Sequence, residues 1–334
     1  MATYSTASAG KTPAVVSATR ATRPTRRRGS GHRTSRVAGY GFIGPAAILF
    51  IGLVLIPIGY SVYLSTRALR VSGGGRKIGG AAQVRRSEVS VGLGNYRDAF
   101  HDSELVHSLL RMLLIGLIIV PIMLALATLF ALLLDAPRTR FANFSRLAIF
   151  LPYAVPGVIA SLLWGFMYLP SMSPFRYAAG SVGLPKPNFF GPTAIWGSVA
   201  NIAVWGGVGF NMVVLYTSLR AIPNELFDAA RIDGCNEFQV ARRVKLPLMR
   251  PALVMTTVFS VIATLQIFNE PFTLRPLTNV LPTTWMPLMS IYTTAFVKND
   301  IYAAAATSVV LAAGTLLVSL IALRLVQSRA LGDS

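Results

Sequence analysis

The acidic side chains of this chain concentrate in one polar segment that extends from Asn224 to Pro251. Four of the twelve carboxylates lie within it, at Glu225, Asp228, Asp233 and Glu237. Ionised groups are costly to bury, so in an otherwise apolar chain such a cluster is typical of a surface that meets water or a partner. A solvated connector and a docking surface both fit this pattern.

Motifs for nucleotide, metal or hydrolytic chemistry are present only in incomplete form. Residues 39–44 carry the glycine spacing of a dinucleotide-binding turn, but they follow a basic segment rather than a strand. Residues 10–12 resemble the end of a phosphate-binding loop, whose first glycine is replaced by Ser5. The three histidines lack the spacing of a zinc site, and no G-x-S-x-G motif is present. We therefore expect no catalytic residue, no cofactor, no metal and no nucleotide-hydrolysis site.

The elements that position the polar segment are predicted to be membrane helices, because 53% of the residues are hydrophobic and only 13% are charged. A helix needs about 20 apolar residues to cross the hydrocarbon core of a bilayer. Six stretches meet this length: Ile43 to Leu64, Leu109 to Leu134, Leu147 to Leu169, Ala194 to Leu219, Ala252 to Glu270 and Ala303 to Val326. A soluble helical protein is the alternative, and the repetition of such stretches argues against it. The sequence predicts an all-α polytopic membrane protein with about six transmembrane helices.

The composition divides the chain into residues 1–38, a disordered basic tail, and residues 39–334, a transmembrane domain. The tail contains eight Lys and Arg residues and no acid, in a background that does not form a core. Basic residues accumulate on the inner side of membrane proteins, so we expect both termini in the cytoplasm, although the basic first outside loop, Ser65 to Ser108, runs against this rule. Attraction to anionic lipid explains the basic charge of the tail, so no nucleic-acid partner is predicted. The first apolar stretch is too long for a signal peptide. The single cysteine, Cys235, excludes intramolecular disulfides.

Within the polar segment, bounded more widely as residues 221–251, local signals predict two short helices joined by a turn. Pro223 and Asn224 suit the start of the first helix, with Asn224 as its cap and carboxylates in its first turn. Gly234 stands where a helix commonly ends on a left-handed residue. The sequence therefore predicts a helix, a tight glycine turn and a second helix.

The second helix is predicted to begin at a capping box formed by Asn236 and Gln239, and to end before Pro247. Helical periodicity gives each helix one apolar face. The predicted faces are Leu226, Ala229 and Ala230 in the first helix, and Phe238, Ala241 and Val244 or Lys245 in the second.

These residues resemble the EAA, DG and LP…P pattern of permease subunits in bacterial binding-protein-dependent ABC importers. The matching positions are Asp228, Ala229, Ala230, Asp233, Gly234, Leu246, Pro247 and Pro251. Further similarity covers nearly the whole membrane part, at residues 92–96, Phe100 and residues 151–156, 219–234 and 268–272. Within the family, the chain is most similar to maltose-type carbohydrate permeases. Two positions depart from the pattern, because Asp228 replaces the usual Glu and Cys235 the usual Ala.

The resemblance implies a fold like that of type I ABC importer permeases in a bacterial cell membrane, and a division of labour. A cytoplasmic ABC ATPase dimer would receive the loop in a cleft, a second permease subunit would complete the pathway, and an extracytoplasmic solute-binding protein would deliver a sugar or oligosaccharide. The expected ATPase-coupling residues are Glu225, Asp228, Ala229, Ala230, Asp233, Gly234, Phe238, Leu246, Pro247 and Pro251. Because the loop is fixed to the fourth and fifth spans, closure of the ATPases would tilt these spans as rigid bodies.

Polar and aromatic side chains in the later spans are candidates for the translocation path, because amides and carboxylates are costly in lipid and aromatic faces stack on sugar rings. The candidates are Tyr153, Trp164, Asn201, Trp205, Asn211, Gln266, Asn269 and Glu270. Hydrogen bonding between helices explains the amides equally well, and anchoring at the membrane interface explains the aromatic residues.

Two other classes of function fit the sequence less well. An ATP-independent carrier generally needs more intramembrane charge than Glu270 alone provides. Asp233 and Gly234 also begin the aspartate motif of CDP-alcohol phosphotransferases, but residues 235–238 do not continue it and the next aspartate is Asp300. The sequence therefore predicts a non-catalytic permease subunit of an ATP-driven importer.

Overall fold

The computed structural model describes residues 43–72, 85–136 and 141–331. The predicted basic tail, residues 1–38, lies outside the described residues. Residues 73–84, in the loop that the sequence predicts to face outside, are not described either.

The first apolar stretch forms the helix α1 (Ile43–Ser65), which is followed by a hairpin. The strands β1 (Arg67–Ser72) and β2 (Arg85–Ser90) pair antiparallel, with Arg67 opposite Ser90. Within the described part of the chain, this hairpin is the one sheet, and the sequence-based prediction had not included it.

The short helix α2 (Gly94–His101) is tied to the end of α1 by the side chains of the GLGNY segment. The Asn95 amide donates hydrogen bonds to the carbonyl oxygens of Ser65 at 2.9 Å and Arg67 at 2.7 Å. The hydroxyl groups of Ser65 and Tyr96 lie 2.6 Å apart. This motif therefore fixes the place where the hairpin begins.

The second span, α3 (Ser103–Leu134), has 32 residues and is therefore about 48 Å long. Asp102 caps it, because its carboxylate accepts a hydrogen bond from the Glu104 N–H at 2.9 Å. One face is buried along the whole helix, at Leu105, Ser108, Met112, Ile115, Ile119, Met123, Ala127, Ala131 and Leu134. The opposite face exposes leucines, as is typical of a surface in contact with lipid.

The third predicted span, Leu147 to Leu169, is not one straight helix, so this part of the prediction was wrong. The helix α4 (Ala142–Phe150) continues as one 3₁₀ turn, and α5 (Gly157–Tyr168) follows at an angle of 98°. Pro156 has no N–H to donate and forces the preceding Val155 into an extended conformation. The backbone therefore bends between the two helices.

After the short helix α6 (Pro174–Ser181), the fourth span α7 (Ala194–Arg220) packs against both α3 and α4. A Cβ atom at Gly209 would lie 2.5 Å from the carbonyl oxygen of Ile149. Only glycine permits this close approach of α7 to the bent span.

The remaining helices follow the polar segment. They are α8 (Asn224–Ile232), α9 (from Glu237 to Leu248), α10 (Arg250–Leu265), α11 (Asn269–Leu274), α12 (Pro287–Tyr292) and α13 (Ile301–Leu331). The core lies where α3, α7 and α10 meet, and its largest fully buried side chains include Ile115, Ile119, Ile195, Met212, Leu215, Leu219, Met249 and Leu274.

Five of the described helices are long and apolar enough to cross a membrane, and the bent pair α4–α5 makes six if it is counted as one span. The predicted all-α membrane fold is therefore confirmed. Asp135, Arg220 and Lys245 meet at one end of the bundle, which we call the loop end. At the opposite end, the hairpin end, the Thr284 hydroxyl donates to the Glu104 carboxylate at 2.6 Å.

Candidate functional site

The two-helix loop, residues 221–251, begins with α8 as the sequence predicted, except for its cap. Pro223 is the N-cap residue, and Asn224 is the first residue of the helix and makes no capping hydrogen bond. The prediction that Asn224 caps α8 was therefore wrong. Glu225 does lie in the first turn, where the helix dipole favours a carboxylate.

The turn after α8 is stabilised by two backbone hydrogen bonds. The Gly234 N–H donates to Arg231 O and the Cys235 N–H donates to Ala230 O, each at 3.0 Å. Gly234 has a φ of +84°, so the predicted left-handed conformation is confirmed. This is the Schellman pattern of helix termination.

A capping box begins α9, as predicted. The Gln239 N–H donates to the Asn236 side chain at 2.9 Å, and the Asn236 N–H donates to the Gln239 side chain at 2.8 Å. Both bonds join neighbours in sequence, so the second helix starts at a fixed point after the glycine turn.

The helix α9 does not end before Pro247, so that prediction was wrong. The segment Ala241–Lys245 is π-helical, and helical structure continues to Leu248. In the wider π turn the Leu246 N–H donates to Ala241 O, five residues earlier. This displaces the carbonyl that a proline ring would meet in a regular α-helix.

The apolar side chains of the loop fall into an exposed set and a buried set. Leu226 is 46% exposed, Ile232 is 88% exposed and Phe238 is 72% exposed. Phe227 and Val240 instead point into the protein. The predicted face is therefore wrong with Lys245 as its last member, because Phe238 points outward and Lys245 is buried. With the alternative, Val244, which is half-buried like Ala241, it stays a prediction.

The predicted coupling residues lie mainly on the outer side of the loop. Ala230, Leu246 and Pro247 are half-buried, whereas the others are exposed: Glu225, Asp228, Ala229, Asp233, Gly234, Phe238 and Pro251. An outward position makes these side chains available to a partner.

Arg231 forms two ion pairs on the exposed side of the turn. Its guanidinium donates to Asp228 Oδ1 at 2.8 Å and to Glu237 Oε1 at 3.0 Å, thereby joining α8 to α9. The hydrogen bond to Glu237, followed by its charge and that of Asp228, raises the pKa of Arg231 above its ordinary value. Solvent screens exposed ion pairs, so the bridge orients the helices more than it stabilises them.

A buried ion pair that the sequence did not reveal lies beneath the loop. Lys245 Nζ is 2.6 Å from Asp135 Oδ2, with side-chain exposures of 5% and 6%. Asp135 directly follows α3 and had no local signal of its own. The loop is therefore joined to the second span as well as to the spans that flank it.

Three of the predicted path residues line one cavity of about 240 Å³ between α3, the 3₁₀ turn after α4, α7 and α10. These are Tyr153, Asn211 and Glu270, and they lie beside the apolar and hydroxyl side chains Met123, Phe210, Ser260 and Thr264. The Tyr153 ring stacks on Phe210 with centroids 5.1 Å apart. This first cavity thus combines aromatic rings with a few polar groups, as ligand pockets commonly do.

Asn211 bonds three helices to one another. Its amide donates to Gly207 O at 3.0 Å and contacts Met123 Sδ at 3.2 Å, while Ser260 Oγ donates to its carbonyl oxygen at 3.2 Å. These contacts support the interhelical role that the sequence had left open for the amides.

Other predicted path residues lie at or beside a second cavity of about 470 Å³ between α5, α6 and α7. Trp164 and Asn201 line it, Asn201 donates to the Tyr168 hydroxyl at 2.9 Å, and Trp205 meets Trp164 edge to face. Among the described side chains, the Trp164 Nε1 is buried without a hydrogen-bond partner. Trp164 and Trp205 therefore do not line the first cavity, unlike the third aromatic candidate, Tyr153.

The last two path candidates, Gln266 and Asn269, are exposed and line neither cavity. The Asn269 amide lies against Gly157 at the start of α5. Across the residues that the structure covers, no group of three or more His, Cys, Asp or Glu side chains is arranged to hold a metal ion.

The chain is similar in sequence to one family of transport proteins and to several curated permeases. Residues 103–330 match the family described as binding-protein-dependent transport system inner membrane component. The diacetylchitobiose uptake system permease protein NgcF of Streptomyces coelicolor is 28% identical over 287 residues, which cover 82% of this chain and 78% of NgcF. The osmoprotective compounds uptake permease protein GgtC of Synechocystis is 30% identical over 243 residues, which cover 69% of this chain and 79% of GgtC.

One solved structure with a similar fold is a bacterial ABC transporter involved in the import of the acidic polysaccharide alginate. Its matching chain has a TM-score of 0.72 and 18% identity, with 88% of this chain and 96% of that chain covered. At this level of identity the similarity concerns the fold.

Proposed function

The chain belongs to the family of binding-protein-dependent transport system inner membrane components, and on this premise we propose that it is the permease subunit of an ATP-driven importer of a sugar or oligosaccharide. The permease forms part of the membrane path and has no catalytic role. A cytoplasmic ABC ATPase dimer hydrolyses ATP, a second permease subunit completes the path, and an extracytoplasmic solute-binding protein delivers the solute.

The observation that carries this proposal is the exposure of three large apolar side chains on the two-helix loop, Leu226, Ile232 and Phe238. Its helices are held in a fixed relation by the Gly234 turn and the Arg231 bridge. Apolar side chains rimmed by charges on a rigid element are typical of a docking surface. These side chains suit the docking of the ATPase, and seven of the ten predicted coupling residues are exposed on the same loop.

The proposal places the loop end of the bundle in the cytoplasm. Arg242 and Arg243 are exposed on the loop, and basic residues accumulate on the inner side of membrane proteins. With six spans, both termini are then cytoplasmic, and the hairpin end faces the binding protein.

The first cavity is the proposed place of the solute. Its volume of about 240 Å³ is below the range of about 300–1,000 Å³ that is common for ligand sites, which fits a site completed by the second permease subunit. Tyr153 offers an aromatic face and Glu270 a carboxylate that accepts hydrogen bonds from sugar hydroxyls. The uptake of diacetylchitobiose named for NgcF supports a saccharide as the solute class.

The proposal is tested by reconstitution. The chain is purified with its genomic neighbours, and ATPase content, bound solute and uptake into proteoliposomes are measured. We expect an ATPase in stoichiometric amount and sugar uptake that requires ATP and the binding protein. Uptake by vesicles that lack any ATPase would refute the importer and favour a carrier.

A further inference from the structure

A buried ion pair links the two-helix loop to a span that is not adjacent to it in the chain. The loop is continuous with α7 and α10, whereas the Lys245 ammonium bonds Asp135, which lies 110 residues away at the end of α3. Both side chains are almost completely buried, at 5% and 6% exposure.

The surroundings favour a cation at position 245. Lys245 Nζ lies 5.0 Å from the centre of the Phe227 ring, and Phe227 itself is only 6% exposed. Arg220 Nη1, at the end of α7, is 3.9 Å from the other oxygen of Asp135. The ends of α3 and α7, the helix α8 and the π segment of α9 therefore meet around the Asp135 carboxylate and the Lys245 ammonium group.

Stability alone does not account for such a pair. Two apolar side chains of similar volume often hold buried elements equally well, because the ion pair must first lose its hydration. A short hydrogen-bonded pair differs in that it fixes one relative position of its two elements, whereas apolar surfaces can slide. The pair is therefore suited to moving two elements together.

Movement of α3 has a direct consequence for the first cavity. Met123 lies on the same buried face of α3 as Leu134, lines the cavity and contacts the Asn211 amide at 3.2 Å. A shift of α3 at its loop end therefore changes a wall of the cavity.

We propose that the Asp135–Lys245 pair is the joint that transmits movement of the two-helix loop to α3, and through α3 to the first cavity. Asp135 and Lys245 are positioning residues, since neither lines that cavity. This inference rests on the proposed function, because it assumes that an ATPase moves the loop.

The test uses the complete complex of permeases, ATPase and binding protein, with the variants Asp135→Asn, Lys245→Met and both together. The readout is the stimulation of ATP hydrolysis by the solute-loaded binding protein, per assembled complex. We expect each single variant to keep the ATPase bound and to lose stimulation by about two- to thirtyfold. The double variant should lose no more than the larger single loss, because the two groups act as one unit.

Arg146→Gln is the control. It removes a charge on α4 that lies over the Tyr216 ring of α7, 5.6 Å from the ring centre, and is not part of the ion pair, so it should leave stimulation unchanged. A merely structural role would lower the amount of assembled complex and leave stimulation per complex as in the unaltered chain. Two results would refute the proposal. One is unchanged stimulation per assembled complex in the single variants, and the other is a loss in the double variant that equals the product of the two single losses.

If a single variant does not assemble, Asp135→Leu combined with Lys245→Met removes both buried charges. We expect this apolar pair to assemble with reduced stimulation. Normal stimulation of ATP hydrolysis in this variant would refute the proposal. Failure to assemble would also refute it, because the ion pair would then be needed for folding. Absence of an ATPase from the complex of the unaltered chain would instead refute the proposed function.

Discussion

Substitution of Gly234 by valine tests whether the shape of the two-helix loop is needed for transport. Gly234 has a φ of +84°, and a Cβ atom there would meet nothing within 4 Å. The cost is therefore conformational and not steric, about 1–2 kcal/mol for a residue with a Cβ in the left-handed region. A β-branched side chain is among the least tolerated there.

An energy of this size changes the population of the native turn by roughly five- to thirtyfold. If the backbone leaves the left-handed region, the hydrogen bonds from Gly234 N–H to Arg231 O and from Cys235 N–H to Ala230 O are lost. The helices α8 and α9 then no longer have a fixed angle. We expect transport to fall by a similar factor, while the solute-binding protein captures solute normally.

The assay is ATP-dependent uptake into proteoliposomes, with binding of solute to the isolated binding protein measured alongside. Two variants serve as controls. Gly234→Asn should retain most transport, because asparagine tolerates left-handed φ. Gly183→Val carries a comparable backbone cost, since Gly183 has a φ of +73° and open space around it, but it lies between α6 and α7.

Normal uptake by Gly234→Val would refute the reasoning. An equal loss of transport in Gly183→Val would also refute it, because the effect would then be one of general stability and not of the loop.

Three further substitutions examine other parts of the structure. Gly209→Ala places a methyl group 2.5 Å from Ile149 O and should lower the thermal unfolding temperature through overpacking worth about 1–3 kcal/mol. Gly197→Ala, with no atom within 4 Å, should not lower that temperature, because alanine favours a helix more than glycine does. Phe238→Asp places a charge among the exposed apolar side chains of the loop. This variant should release the ATPase from the purified complex without changing the unfolding temperature. An ATPase that stays bound would argue against docking at these side chains. Glu270→Gln keeps the size of the side chain and removes its charge, so half-maximal uptake should require about fivefold more sugar, because a hydrogen bond to a charged group exceeds a neutral one by about 1 kcal/mol. An unchanged concentration dependence would place Glu270 outside the path.

Local sequence signals predicted the features of the loop that neighbouring residues make. The Gly234 turn joins residues 230–235, and the capping box joins Asn236 to Gln239, so every group that forms these bonds lies within a few positions of its partner. The number of spans follows from hydrophobic length for the same reason, because each stretch satisfies its own backbone as a helix.

Periodicity failed where the helix departs from regular geometry. The predicted face from Phe238 to Lys245 assumed α-helical spacing, but the π segment Ala241–Lys245 has more residues in its turn and rotates Lys245 inward. The same segment lets the helix continue through Pro247. The bend before α5 is a similar case, because prolines in a membrane span leave open whether the chain kinks or turns.

The amino-acid sequence by itself determined that this chain lies in a membrane, that its polar loop forms two helices about a glycine, and which side chains are available for chemistry. Only the tertiary structure decided that Tyr153, Asn211 and Glu270 share a cavity, whereas Trp164 and Asn201 line a different one. It also decided that Lys245 bonds Asp135 across 110 residues. Neither residue carries a local signal for this pair, because its partner is set by the packing of α3 against the loop and not by any neighbour in the chain.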